Sequence, residues 1–140
     1  MNKHYNICVI DDDDIYQFTI TKILESIKLS KKILLFSDGE EALDFMVDNL
    51  SNNDELPDII FLDINMPIMD GFQFMEEYVE IKPKLNKKIV IYMVSSSVDP
   101  VDIAKAKEIS DISDYIIKPI KAGHLKTIMA QLESTGKLLN

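Results

Sequence analysis

Cysteine occurs once in the chain, at Cys8, so no intramolecular disulfide can form. Its place inside an apolar run makes a buried thiol the expectation. Long hydrophobic runs are also missing, and none approaches the ~20 residues of a membrane-spanning helix. Met1-Asn2-Lys3-His4-Tyr5 leads into only four apolar residues before Asp11, too few for the core of a secretory signal. Cytoplasm is the expected compartment. Positive charge is scarce, with 15 Lys+Arg against 24 Asp+Glu and a net charge of −9. Phosphate backbones need cations, so nucleic acid is excluded as a partner, and anionic membranes are repelled. Repeats and low-complexity tracts are absent.

What remains is an ordinary soluble composition, 46% apolar and 28% charged over 140 residues. The whole length, 1–140, reads as one domain with its core at about 5–133 and no output module. Strand-like and helix-like patterns alternate five times. Ile7-Cys8-Val9-Ile10 and Ile33-Leu34-Leu35-Phe36 flank a helical stripe of Ile20, Ile23, Leu24 and Ile27. Ser37-Asp38-Gly39-Glu40 reads as a capping box opening a second helix with Leu43, Met46, Val47 and Leu50 inward. After a polar loop come the strand Ile59-Ile60-Phe61-Leu62 and a helix capped by Asp70 and Gln73. Phe72, Met75 and Val79 are expected to pack inward there, with Pro83 ending the helix.

Ile89 to Val94 is a fourth strand, and Asp99-Pro100 caps a fourth helix with little apolar area beyond Ala104 and Ala106. Tyr115-Ile116-Ile117 is a short fifth strand. A final helix carries Leu125, Ile128, Met129 and Leu132, then frays through Ser134-Thr135-Gly136. Five such units imply an α/β fold, a doubly wound parallel sheet covered on both faces.

Three strands stop at reactive polar groups, and open α/β sheets bind ligands outside the carboxyl ends of their strands. The first ends in Asp11 to Asp14, the third in Asp63, the fourth in Ser95-Ser96-Ser97. Asp11, Asp12 and Asp63 can converge where the first and third strands lie side by side. Like charges there call for a cation, and hard oxygen ligands with no nearby His or second Cys favour Mg²⁺. Asp13 and Asp14 sit on the loop and cap the first helix. Lys118, directly after the fifth strand and before Pro119, lies at the same edge, a partner for a phosphoryl group; Pro119 biases it to extended backbone and allows a cis bond. Ser95 is the serine placed to point into the site. Tyr115 taken alone reads as a core aromatic, and His4 and His124 have no metal-ligand spacing.

Acid pair, Asp, Ser and Lys-Pro, in that order after strands one, three, four and five, resemble the receiver domain of two-component response regulators. Leu62-Asp63-Ile64-Asn65-Met66-Pro67-Ile68-Met69-Asp70-Gly71 is similar almost residue for residue to that family's phosphoacceptor segment. The resemblance covers roughly 5–133. It implies a flavodoxin-like (βα)₅ three-layer sandwich with strand order 2-1-3-4-5. It makes Asp63 the phosphoacceptor, and Asp11 and Asp12 the Mg²⁺ ligands together with Asp63 and the backbone carbonyl of Asn65. It puts Ser95 and Tyr115 at the switch positions, Lys118 against the phosphoryl oxygens, and Asn65 and Ser97 at positions that modulate dephosphorylation. Asp13 and Asp14 add charge beyond the family's usual pair, and a proline or small polar residue is more usual where Asp14 stands.

A signalling protein rather than a turnover enzyme is implied, one that catalyses its own phosphoryl uptake and autodephosphorylation. Its partners would be a sensor histidine kinase or histidine phosphotransfer protein and an output protein of unknown identity, with a homodimer through helix four, strand five and helix five possible. Two other readings compete. Asp11-x-Asp13 after a strand resembles the nucleophile motif of haloacid-dehalogenase-type phosphatases, although no Gly-Thr/Val follows the pair and Asp63 is left unexplained. A phosphorylation-independent interaction module is the other.

Overall fold

Ile7, Cys8, Val9 and Ile10 are all buried, on both faces of their strand, and a strand with two apolar faces belongs at the centre of a covered sheet. The structure, a computed structural model, describes residues 4–135. In it β1 (Tyr5–Ile10), β2 (Ser30–Phe36), β3 (Ile59–Leu62), β4 (Val90–Ser95) and β5 (Ile112–Ile117) form one parallel sheet in the order 2-1-3-4-5. The helices between and after them are α1 (Asp14–Ile27), α2 (Gly39–Asp48), α3 (Gly71–Ile81), α4 (Pro100–Glu108) and α5 (Ala122–Thr135). The expected (βα)₅ flavodoxin-like architecture is the observed one.

Alternation along each strand divides the core in two. Cys8 and Ile10 of β1 join Ile60 and Leu62 of β3 on the side covered by α2, α3 and α4, where Met46, Phe74 and Met75 are buried. Ile7 and Val9 join Ile59 and Phe61 on the other side, against Ile20 and Leu24 of α1 and Leu125, Ile128 and Met129 of α5. Each such side chain contributes about 1.5–3 kcal/mol by leaving water. That two-sided burial fixes the strand register, because a one-residue slip would swap the faces.

Several local expectations change. The cap of α2 is Asp38, not Ser37: Glu41 N–H donates to Asp38 Oδ1 at 3.0 Å, and the Glu41 carboxylate accepts from Ser37 N–H at 2.7 Å. The capping pair therefore lies one residue later, with the carboxylate of Asp38 taking the role given to a hydroxyl. Val47 and Val79, expected inward, are 46% and 48% exposed, each at the edge of an apolar stripe already filled by its neighbours. Pro83 does not end α3 directly, since the helix stops at Ile81 and the chain continues through a 3₁₀ turn, Lys82–Lys84. The fifth strand begins earlier than Tyr115, at Ile112, through the polar residues Ser113 and Asp114. Helix α5 runs unbroken through Ser134 to Thr135, and Gly136 lies outside the described residues.

Candidate functional site

Three backbone hydrogen bonds carry the sheet one residue past its strands, and each fixes a reactive side chain. Asp11 N–H donates to Phe36 O at 2.9 Å, Asp63 N–H to Ile10 O at 2.9 Å, and Lys118 N–H to Ser95 O at 2.9 Å. The β1–β3 register pairs Ile10 with Leu62, so Asp11 and Asp63 follow on adjacent strands. Parallel pairing brings residues distant in sequence to one edge.

There the side chains converge. Asp11 and Asp63 are 1% and 7% exposed, while Asp12 faces solvent. Carboxylate oxygens of all three lie within 4.8 Å of one another. Lys118 Nζ is 2.6 Å from Asp11 Oδ2 and 3.6 Å from Asp63 Oδ2. Asp11 Oδ1 accepts Asp13 N–H at 2.9 Å, and Asp63 Oδ1 accepts Ile64 N–H at 2.9 Å. Burial, reinforced by the charge of Asp11, pushes the Asp63 carboxyl up to about 6 against the pull of Lys118. Burial also raises Asp11, opposed by its hydrogen bond with Lys118. One ammonium serves two desolvated carboxylates and a third nearby, so the donor set fits a hard divalent cation such as Mg²⁺.

Asp13 does what its position suggested: its Oδ1 accepts Ile15 N–H at 3.0 Å and Tyr16 N–H at 3.1 Å as the N-cap of α1. Asp14 opens the first turn. Asp70 and Gln73 form the expected capping box. Gly71 has a second reason to be glycine: a Cβ built there would lie 2.3 Å from Asp63 O, and its N–H donates to Ile64 O at 2.8 Å. The Asp-Gly pair thus presses the start of α3 against the backbone of Asp63.

Ser95 is fully buried at the end of β4, and its Oγ accepts Ser97 N–H at 3.1 Å. The Ser97 hydroxyl turns to α4, donating to Asp102 Oδ2 at 2.7 Å and accepting Asp99 N–H at 3.2 Å. Tyr115 is half-buried against the core and donates its hydroxyl to Ser97 O at 2.8 Å. Asn65 is exposed, two residues past Asp63. The Lys118–Pro119 peptide is cis.

Two residues at the site escaped sequence reasoning. The Gln17 amide donates to Asp11 O at 2.7 Å and Phe36 O at 3.1 Å, tying the ends of β1 and β2 together. The Tyr16 ring lies under Lys118, with Nζ 4.4 Å from its centroid. Burial and the charges of Asp11 and Asp63 raise the Tyr16 phenol well above its ordinary value. Their only sequence signal is position, in the first turn of the helix that follows the acids.

Comparison with known proteins agrees with this geometry. A family model described as the response regulator receiver domain matches residues 7–130. The chain belongs to this family. The receiver domain is 32% identical over 125 residues to the sensor histidine kinase CheAY of Helicobacter pylori, covering 89% of this chain and 14% of that protein. It is 31% identical over 135 residues to the probable transcriptional regulator ycf27 of Guillardia theta, covering 94% of this chain and 46% of that one. The chain therefore spans less than half of either relative. Among solved structures, a two component response regulator from Cytophaga hutchinsonii is 30% identical with a TM-score of 0.81, covering 94% of this chain and 98% of that chain. Among the described residues of the receiver domain, no helix is long and apolar enough to cross a membrane.

Proposed function

We propose that Asp63 is the phosphoacceptor of this receiver domain, taking a phosphoryl group in the cytoplasm from the phosphohistidine of a sensor histidine kinase or a histidine phosphotransfer protein. The observation that carries the reading is the Lys118 ammonium held between Asp11 and Asp63, with Asp12 beside them. An Asp63 oxygen attacks phosphorus in line, the P–N bond breaks, and the electron pair returns to the imidazole ring, which takes up a proton. With Asp63 titrating at about 6, most of it is ionised and nucleophilic near pH 7. Lys118 accepts the negative charge that gathers on the phosphoryl oxygens. Asp11, Asp12, Asp63 and the Asn65 carbonyl would hold Mg²⁺, which neutralises phosphoryl charge when bound.

Hydrolysis of the acyl phosphate resets the site, with Asn65 and Ser97 flanking the path of water and setting its rate. In the phosphorylated state Ser95 bonds the new group and Tyr115 turns inward, changing the surface made by α4, β5 and α5. An output protein or a second copy of the chain reads that surface. The fit of α4 supports this, because among its residues only Ala106 is buried.

The test is incubation with acetyl phosphate and Mg²⁺, then mass spectrometry to locate the phosphoryl group. Labelling at Asp63, lost in Asp63→Asn and in chelator, is the expected result. Labelling that survives Asp63→Asn overturns the assignment, and a label on Asp11 would favour the phosphatase-like reading.

A further inference from the structure

We propose that Tyr16 is a positioning residue of the phosphoacceptor site, acting through Lys118; the inference rests on the role given above to Asp63 and Lys118. A lysine side chain has many rotamers, and two nearby carboxylates pull this one in slightly different directions. Asp11 takes it at 2.6 Å and Asp63 at 3.6 Å, while the exposed Asp12 adds negative charge within 4.8 Å of both carboxylates. The Tyr16 ring supplies an uncharged wall, 4.4 Å from Nζ to centroid, that attracts the ammonium without drawing it toward any one acid.

The ring is itself held in place. Tyr16 N–H is one of the two donors capped by Asp13, so the third acid of the quartet fixes the aromatic that faces the lysine. The ring also packs against the core beside α1 and α5. Its hydroxyl is buried and has no hydrogen-bond partner among the described residues, so what Tyr16 brings to the lysine is its ring, which phenylalanine would also bring. The phenol lies near enough to Asp11 and Asp63 to feel both charges, so it belongs electrostatically to the acid site rather than to the core alone.

The experiment has two parts. In protein carrying ¹³C-labelled lysine, the ε-methylene signal of Lys118 should be moved upfield by the ring current of Tyr16. It should stay there in Tyr16→Phe and relax to an ordinary lysine position in Tyr16→Leu. An unshifted Lys118 signal in the wild type overturns the inference without any variant having to fold. The second part is the rate of acetyl phosphate uptake in Mg²⁺. Tyr16→Leu should slow it about three- to thirtyfold, the range spanned by a cation–π contact, and phenylalanine should recover most of the loss. In a Lys118→Ala background, Tyr16→Leu should add nothing further. An undiminished rate in Tyr16→Leu, or the same loss with and without Lys118, overturns it. If wild-type Asp63 takes no phosphoryl group, the reading of the site fails, while the Lys118 signal still decides the ring contact.

Discussion

Lys118 Nζ lies 2.6 Å from Asp11 Oδ2, closer than the 3.6 Å that separates it from Asp63 Oδ2. The lysine compensates Asp11 first and Asp63 second. Both acids are desolvated, so each charge is disfavoured, and the one farther from the ammonium gets less relief. Burial first and the charge of Asp11 second lift Asp63 to about 6, and Lys118 at the longer distance offsets them only in part.

The sign of that shift makes the stability of the fold depend on pH. The ordinary value is 3.8, and the fold raises it to about 6, so the folded state holds the proton more tightly than the unfolded chain. Stability is therefore lost as pH rises from 3.8 through 6, and the loss persists above that. The difference corresponds to roughly 3 kcal/mol. Asp63→Asn removes it. In urea titrations with chelator, the variant should be more stable than the wild type by on the order of 2–3 kcal/mol at pH 7.5, with little difference at pH 4. An equal difference at both values would refute the electrostatic cause.

Excess negative charge should also make the fold respond to divalent cations. Mg²⁺ should raise the melting temperature of the wild type, by an amount equivalent to about 2.7 kcal/mol at a hundred times its dissociation constant. Asp12→Asn should weaken that response. Asp13→Ser, which keeps a capping hydroxyl for α1, should leave it in place. A Mg²⁺ shift that depends on Asp13 and ignores Asp12 would put Asp13 in place of Asp12 as the partner of Asp11.

Gly71→Ala tests how closely α3 is pressed on the acceptor. The new Cβ would stand 2.3 Å from Asp63 O, a backbone atom that cannot swing aside. We expect a loss of about 2–3 kcal/mol in denaturant unfolding, the upper part of the range for overpacking, and slower labelling of Asp63. A neutral substitution would mean that the backbone of Asp63 yields easily.

The sheet and most of the acid site were legible because two-sided burial writes itself as continuous apolar runs, and Asp11, Asp63 and Ser95 stand where those runs stop. The start of β5 was not, because Ser113 and Asp114 on this edge strand are exposed and break the apolar pattern. Val79 and Val47 were misplaced because helical spacing defines a stripe but not where the neighbouring element ends. Tyr16 and Gln17 were invisible for another reason. Lys118 meets Tyr16, and the Phe36 carbonyl meets Gln17, only after the sheet has formed, while the Asp11 carbonyl that Gln17 also holds is an unpatterned loop contact.

Ser97 gathers three separate attachments into one residue. Its N–H holds Ser95, its hydroxyl holds Asp102 of α4, and its carbonyl holds the Tyr115 hydroxyl from β5. A shift of Ser95 toward a phosphoryl group on Asp63, as proposed, would meet Ser97 directly. Under the switch proposed above, it would arrive at a single residue whose other two bonds already hold the helix and the aromatic.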